Sequence, residues 1–174
     1  MYIPHGPEED EMHVSGIGGN LTFHSMNRFD QIVVNVLVLT SVPLNHGSSV
    51  AQGYVVESGN VSATLLTDTG SLSGKTVEWL SKNKPHLIMI DACFKPGADV
   101  SGHNNVDMAI ERIQQLDVER AILMHIAPHN WPYYDLVSYV YEQDRDRTIV
   151  SYDGMILHLF DERDPQTNPD CIVR

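Results

Sequence analysis

The chain has 174 residues, a length that suits one domain with a substantial core. Its formal net charge is −12, its pI is about 4.9, and 42% of its residues are hydrophobic. So acidic a surface argues against nucleic acid or an anionic membrane as partner, and no apolar run approaches the ~18 residues of a membrane span.

The only cysteines, Cys93 and Cys171, make neither a disulfide framework nor a zinc ribbon. The N-terminus lacks the basic-then-apolar pattern of a secretory signal, so a cytoplasmic location is expected. We expect a single domain over residues 1–174. Its parts would be an irregular N-terminal segment at 1–30, a core at 31–160 and a polar tail at 161–174.

Residues 1–30 are turn-rich, with an acidic run from Glu8 to Glu11, and read as loop plus a short element. "IVVNVLVLTSV" from Ile32 is rich in β-branched residues and predicts one strand ending at Pro43. "AQGYVVES" and "VSATLLTD" predict two strands joined by a hairpin turn at Ser58-Gly59-Asn60. "SGKTVEWLSKN" predicts a helix capped by Ser73, with Val77 and Leu80 on one face.

"HLIMIDACF" has the unbroken apolar character of a buried strand. "NNVDMAIERIQQL" is the clearest helix: Val106, Ala109, Ile110 and Ile113 form one stripe, and Asn104 with Asp107 reads as a start signal. "RAILMHI" predicts a strand, "YYDLVSYVYEQ" a helix, and "IVSYDGMILHL" a strand hairpin turning at Asp153-Gly154. Strands alternating with helices after a β-hairpin imply an α/β layout, one mixed sheet with helices packed on it.

Four polar residues fall just past the carboxyl ends of predicted strands: His46 in "VPLNHG", Asp68 in "LLTDTG", Asp91 in "IMIDACF" and His125 in "ILMHIAPH". His103 joins them from the loop that opens the best helix. Ligands of open α/β sheets gather at strand carboxyl ends, and histidines with aspartates suit Zn²⁺, Mn²⁺ or Fe. Each residue also has a plainer reading. A histidine at a strand end is commonly just hydrogen-bonded, Asp68 with Thr69 and Gly70 fits a turn, and His103 could merely neighbour a helix cap.

The stretches "VPLNHGSSVAQGYVVESGNVSATLLTDTG", "SGHNNVDMAIERIQQL" and "RAILMHIAPHN", in that order, resemble the metallo-β-lactamase fold superfamily. Within it they are most similar to the branch containing phosphoribosyl cyclic-phosphate phosphodiesterase, and more distantly to RNase Z. The resemblance runs from about Phe29 to Leu159 and implies part of an αββα sandwich. It implies that His46, Asp68 and His125 are metal ligands, with Asp68 bridging two ions of Zn²⁺, Mn²⁺ or Fe. It also implies that His103 assists the phosphoryl group or the leaving oxygen. His129 would orient His125 or approach the substrate, and Asp91 would anchor a loop behind the ligands. The activity implied is metal-assisted hydrolysis of a small cyclic or nucleotide-like phosphodiester.

The superfamily's "HxHxDH" motif is missing: none of the nine histidines stands two residues from another. The chain therefore resembles the back part of such an enzyme, a truncated or incomplete form. The carboxylates and histidines of "HGPEEDEMH" at 5–13 match no ligand spacing that could replace the motif. Half a sandwich would expose its apolar inner face, so a homo-oligomer or a complementing chain is expected. Two alternatives follow. The same fold could cleave a thioester, lactone or lactam, or the chain could be a catalytically inactive binding or regulatory module derived from it.

Overall fold

A computed structural model describes residues 25–159 in full and, before them, the backbone of the strands β1 (Met12–Gly16) and β2 (Gly19–Phe23). β1 and β2 pair with each other antiparallel. The expected polar tail at 161–174 and most of the acidic segment at 5–13 lie outside the described residues.

The main sheet begins with β3 (Gln31–Val34), β4 (Leu37–His46), β5 (Ser49–Ser58) and β6 (Val61–Leu66), an antiparallel meander. After the short β7 (Ser71–Leu72) and helix α1 (Gly74–Asn83) come β8 (Leu87–Asp91), helix α2 (Val106–Leu116) and β9 (Arg120–Met124). Helix α3 (Tyr133–Asp144) and β10 (Thr148–Val150) complete it. The spatial order is β10-β9-β8-β6-β5-β4-β3, with β7 beside β4, and β6, β8, β9 and β10 run parallel. The result is the expected mixed sheet with helices on it.

Register explains where the core sits. Thr40, Val55, Thr64, Ile88, Ala121 and Thr148 stand in one row across six strands, and Val42, Gly53, Leu66, Ile90, Leu123 and Val150 in the next. Every residue of both rows is buried. The helices cover this face with Leu80 of α1, the stripe Val106, Ala109, Ile110 and Ile113 of α2, and Leu136 and Val140 of α3. Each fully buried Leu or Ile here contributes about 1.5–3 kcal/mol over its exposed state. On the opposite face, Leu39, Tyr54, Val56, Ala63, Leu65 and Met89 are only half-buried, whereas Leu87 and Ile122 are buried.

Three local expectations need correction. The single strand expected from Ile32 to Pro43 is a hairpin, because Asn35 takes a left-handed backbone (φ 56) and turns the chain between Val34 and Leu37. Asparagine tolerates that conformation, so a β-branched run conceals the turn. The α2 cap is Asn105 rather than Asn104: the Asn105 side chain accepts from Met108 N at 2.8 Å. The hairpin expected at Asp153-Gly154 turns there, with Gly154 at φ 87, but the residues after it up to Leu159 form no strand.

Candidate metal centre

The carboxyl ends of β4, β6, β8 and β9 meet at one rim of the sheet, and the polar residues of interest follow them. Two of them leave their strands in a conformation uncommon for a residue with a side chain. Asp68 has φ 53 and His125 φ 59. Neither caps a helix nor turns a hairpin, unlike Lys84, Asp117 and Asn35, which share the conformation. Such strain, on the order of 1–3 kcal/mol per residue, clusters at functional sites.

Asp91 is the hub. Its carboxylate is completely buried at the end of β8. Oδ1 accepts the backbone N–H groups of Cys93 (3.0 Å) and Asn104 (3.3 Å). Oδ2 lies 2.7 Å from His103 Nδ1 and 3.1 Å from His125 Nδ1. An ionised carboxylate only accepts, so each ring donates through Nδ1 and keeps Nε2 as its second nitrogen. His125 Nδ1 is also 3.5 Å from Asp68 Oδ1. The Asp68 and His125 side chains are half exposed, at 52% and 43%, whereas His103 is 23% exposed.

Asp68, Asp91, His103 and His125 each offer one ligand-capable atom, and the four atoms lie within 4.8 Å of one another. Ligands of one tetrahedral zinc ion, with bonds near 2.0–2.2 Å, stand about 3.4 Å apart. The 3.1 and 3.5 Å separations are close to that spacing, but they run through the Nδ1 atom of His125, which donates to Asp91, so an ion would bind at Nε2 or displace that proton. Two carboxylates and two imidazoles are a donor set that zinc or manganese accepts, so the residues fit an ion.

The remaining expected residues lie around this group. His46 is beside it, its ring centroid 4.6 Å from that of His103, and its Nδ1 donates to Gly102 O at 2.6 Å. It is not one of the four converging residues. His129 is exposed, its ring 5.0 Å from that of Phe94, which in turn lies 6.2 Å from the His103 ring. His86 is remote in role, bonded to Ser62 through Nδ1 at 3.2 Å. Cys93, buried behind the cluster, has its thiol pKa raised, first by burial and then by the charges of Asp91 and Asp68.

Glycines let the loops approach. A Cβ on Gly70 would sit 2.9–3.1 Å from three backbone atoms of Gly102, and Gly102 itself needs φ 83. The Asp68 loop and the His103 loop therefore touch backbone to backbone. Two residues that sequence reasoning left outside the site complete the frame. Asn104, fully buried, donates through Nδ2 to Asp91 O at 3.2 Å, and Arg112 of α2 reaches Asn104 Oδ1 at 3.4 Å and Gly70 O at 3.3 Å. The available signal was a charged residue beside the apolar stripe of the strongest helix.

Comparison with known proteins bears on the family and the fold. Residues 4–126 match the model of a family described as the beta-lactamase superfamily domain. Among solved structures, the chain is similar to a diphosphatase of the PhnP family (20% identity, TM-score 0.62), covering 77% of this chain and 48% of that one. It is similar to the metallo-beta-lactamase fold protein YhfI from Bacillus subtilis (12%, TM-score 0.61; 73% and 52%). It is also similar to the short form of human tRNase Z (17%, TM-score 0.53; 71% and 42%). At these identities the likeness establishes the fold. The chain spans about half the length of these structures. No curated protein matches.

Proposed function

The chain belongs to the beta-lactamase superfamily domain family, and from that premise we propose that it is a metal-dependent hydrolase of a small phosphodiester. The observation that carries this is the convergence of Asp68, Asp91, His103 and His125 at the carboxyl edge of the sheet. Of these, Asp68 and His125, with His46 adjacent as a further donor, would hold a divalent ion, zinc or manganese by their chemistry, with Asp91 behind the imidazoles and His103 left unligated. A bound ion supplies Lewis-acid stabilisation of the charge that develops on a phosphoryl oxygen.

The chain's own residues supply the rest. Asp91, buried and fixed by two backbone N–H groups, orients both imidazoles through one oxygen, as carboxylates behind ligand histidines do. Asp68 and His125, half exposed, would be the groups open to an incoming substrate. His103, the less exposed ring, is the group suited to giving a proton to the leaving oxygen, since imidazole titrates near neutral pH. The acidic chain favours a small substrate over a polyanion. The similarity to a diphosphatase supports a phosphoryl substrate in preference to a lactam.

The test is metal content by mass spectrometry after zinc or manganese loading, alongside hydrolysis of bis(p-nitrophenyl) phosphate. We expect bound metal and turnover, both lost in His125→Ala and both kept in His86→Ala. A wild-type chain that binds no metal refutes the proposal, and equal effects of the two substitutions place the site elsewhere. Metal without turnover would instead favour a binding module.

A further inference from the structure

Arg112 is half-buried on α2, and among the described residues no carboxylate forms an ion pair with it. A guanidinium brings five donors and a permanent charge, and its partial burial without a counter-ion is costly unless the charge is used. Both of its partners belong to the loops that build the metal centre. Nη2 donates to Gly70 O, two residues after Asp68, and Nε donates to Asn104 Oδ1, one residue after His103.

Each partner is tied onward. Gly70 N donates to Asn45 O at 2.9 Å, next to His46. Asn104 uses every polar atom it has: N and Nδ2 bond Asp91, its carbonyl accepts from Phe94 N, and Oδ1 faces Arg112. One side chain thus links the Asp68 loop to the loop carrying His103 and to buried Asp91. The guanidinium is bonded to both loops.

We propose that Arg112 is a positioning residue for the metal centre: its planar fork clamps the Asp68–Gly70 loop to the His103–Asn104 loop. This rests on the proposed metal site for its purpose, but the clamp itself is a property of the metal-free chain. Lysine keeps the charge yet gathers its three donors on one atom and lacks the planar fork that spans two acceptors.

The experiment compares wild type, Arg112→Met and Arg112→Lys by hydrogen exchange of the metal-free chain and by zinc titration. In Arg112→Met, exchange in residues 68–70 and 101–104 should quicken at least ~10-fold while α2 is unchanged, and zinc affinity should fall ~10–100-fold, as for other groups behind ligands. Arg112→Lys should recover less than half of either effect. A merely structural arginine would raise exchange throughout α2 and the sheet together, which would overturn the proposal. Wild-type exchange in both loops would also overturn it. Should Arg112→Met fail to fold, the lysine variant decides by the same two loops. If wild type binds no zinc but the loops loosen as expected, the metal reading fails and the clamp stands. If wild type binds zinc and Arg112→Met equals it in both measurements, the clamp alone fails.

Discussion

Replacing Gly70 by alanine adds a single methyl group where the two site loops touch. Gly70 has no left-handed backbone to lose, so sterics alone set the cost. The new Cβ would stand 2.9 Å from Gly102 N, 3.0 Å from its carbonyl carbon and 3.1 Å from its Cα. All three are backbone atoms, which no rotamer change can move aside. Reaching 3.4 Å, where ordinary contact begins, requires the loops to part by 3.4 − 2.9 = 0.5 Å at the closest pair. Overpacking of this kind costs about 1–3 kcal/mol. The displacement falls on Gly102, whose carbonyl accepts from His46 and whose neighbour is His103, and on the loop that carries Asp68. Urea unfolding should shift by that amount, and zinc affinity should drop at least ~10-fold, because a ligand shell tolerates errors of only a few tenths of an ångström. Gly74→Ala is the matched control: nothing lies within 4 Å of its Cβ, and an alanine at the start of α1 should stabilise by about 0.4–1 kcal/mol with zinc affinity unchanged. A Gly70→Ala chain that unfolds with wild-type energetics and binds zinc like wild type would refute the reasoning.

Two further predictions concern polar contacts. Asp91→Asn places an amide donor against the Nδ1 donors of His103 and His125, leaving a buried donor without an acceptor. It should cost about 1–3 kcal/mol in urea unfolding and remove zinc binding; unchanged stability would mean Asp91 is not the hub described. Tyr139 donates to Asp107 Oδ1 at 2.6 Å, and that bond, then burial, then the Asp107 charge push its pKa from 10 up to about 12. The folded chain therefore keeps a proton that the unfolded chain releases, so this stabilisation is complete below pH ~10 and is lost as pH rises towards 12. The stability gap between wild type and Tyr139→Phe should narrow over that interval, and parallel unfolding profiles would contradict the shift.

Much of the fold is visible in local pattern because local physics makes it. The stripe at Val106, Ala109, Ile110 and Ile113 can only be a helix packing one face, and Leu87, Ile88 and Ile90 of β8 are buried in the middle of the sheet, where β6 and β9 flank the strand and helices cover one face. Where a special backbone decided the outcome, pattern fell short. Asn35 turns a run that otherwise reads as one strand, and nothing in "YDGMILHL" says that no neighbour pairs with it.

The site divides the same way. The places of His46, Asp68, Asp91, His103 and His125 after strands or before a helix are consequences of sequence order, since strand ends in an α/β sheet collect at one rim. Their geometry is not. That Asp91 is wholly buried and shared by two imidazoles, that His46 turns its Nδ1 to Gly102, and that Arg112 reaches from α2 to Gly70 across 42 residues depend on how separate segments pack. Alternation and caps report interactions within a few residues along the chain. Hydrogen bonds between loops tens of residues apart leave no periodic trace, so they exist only once the sheet has brought those loops together.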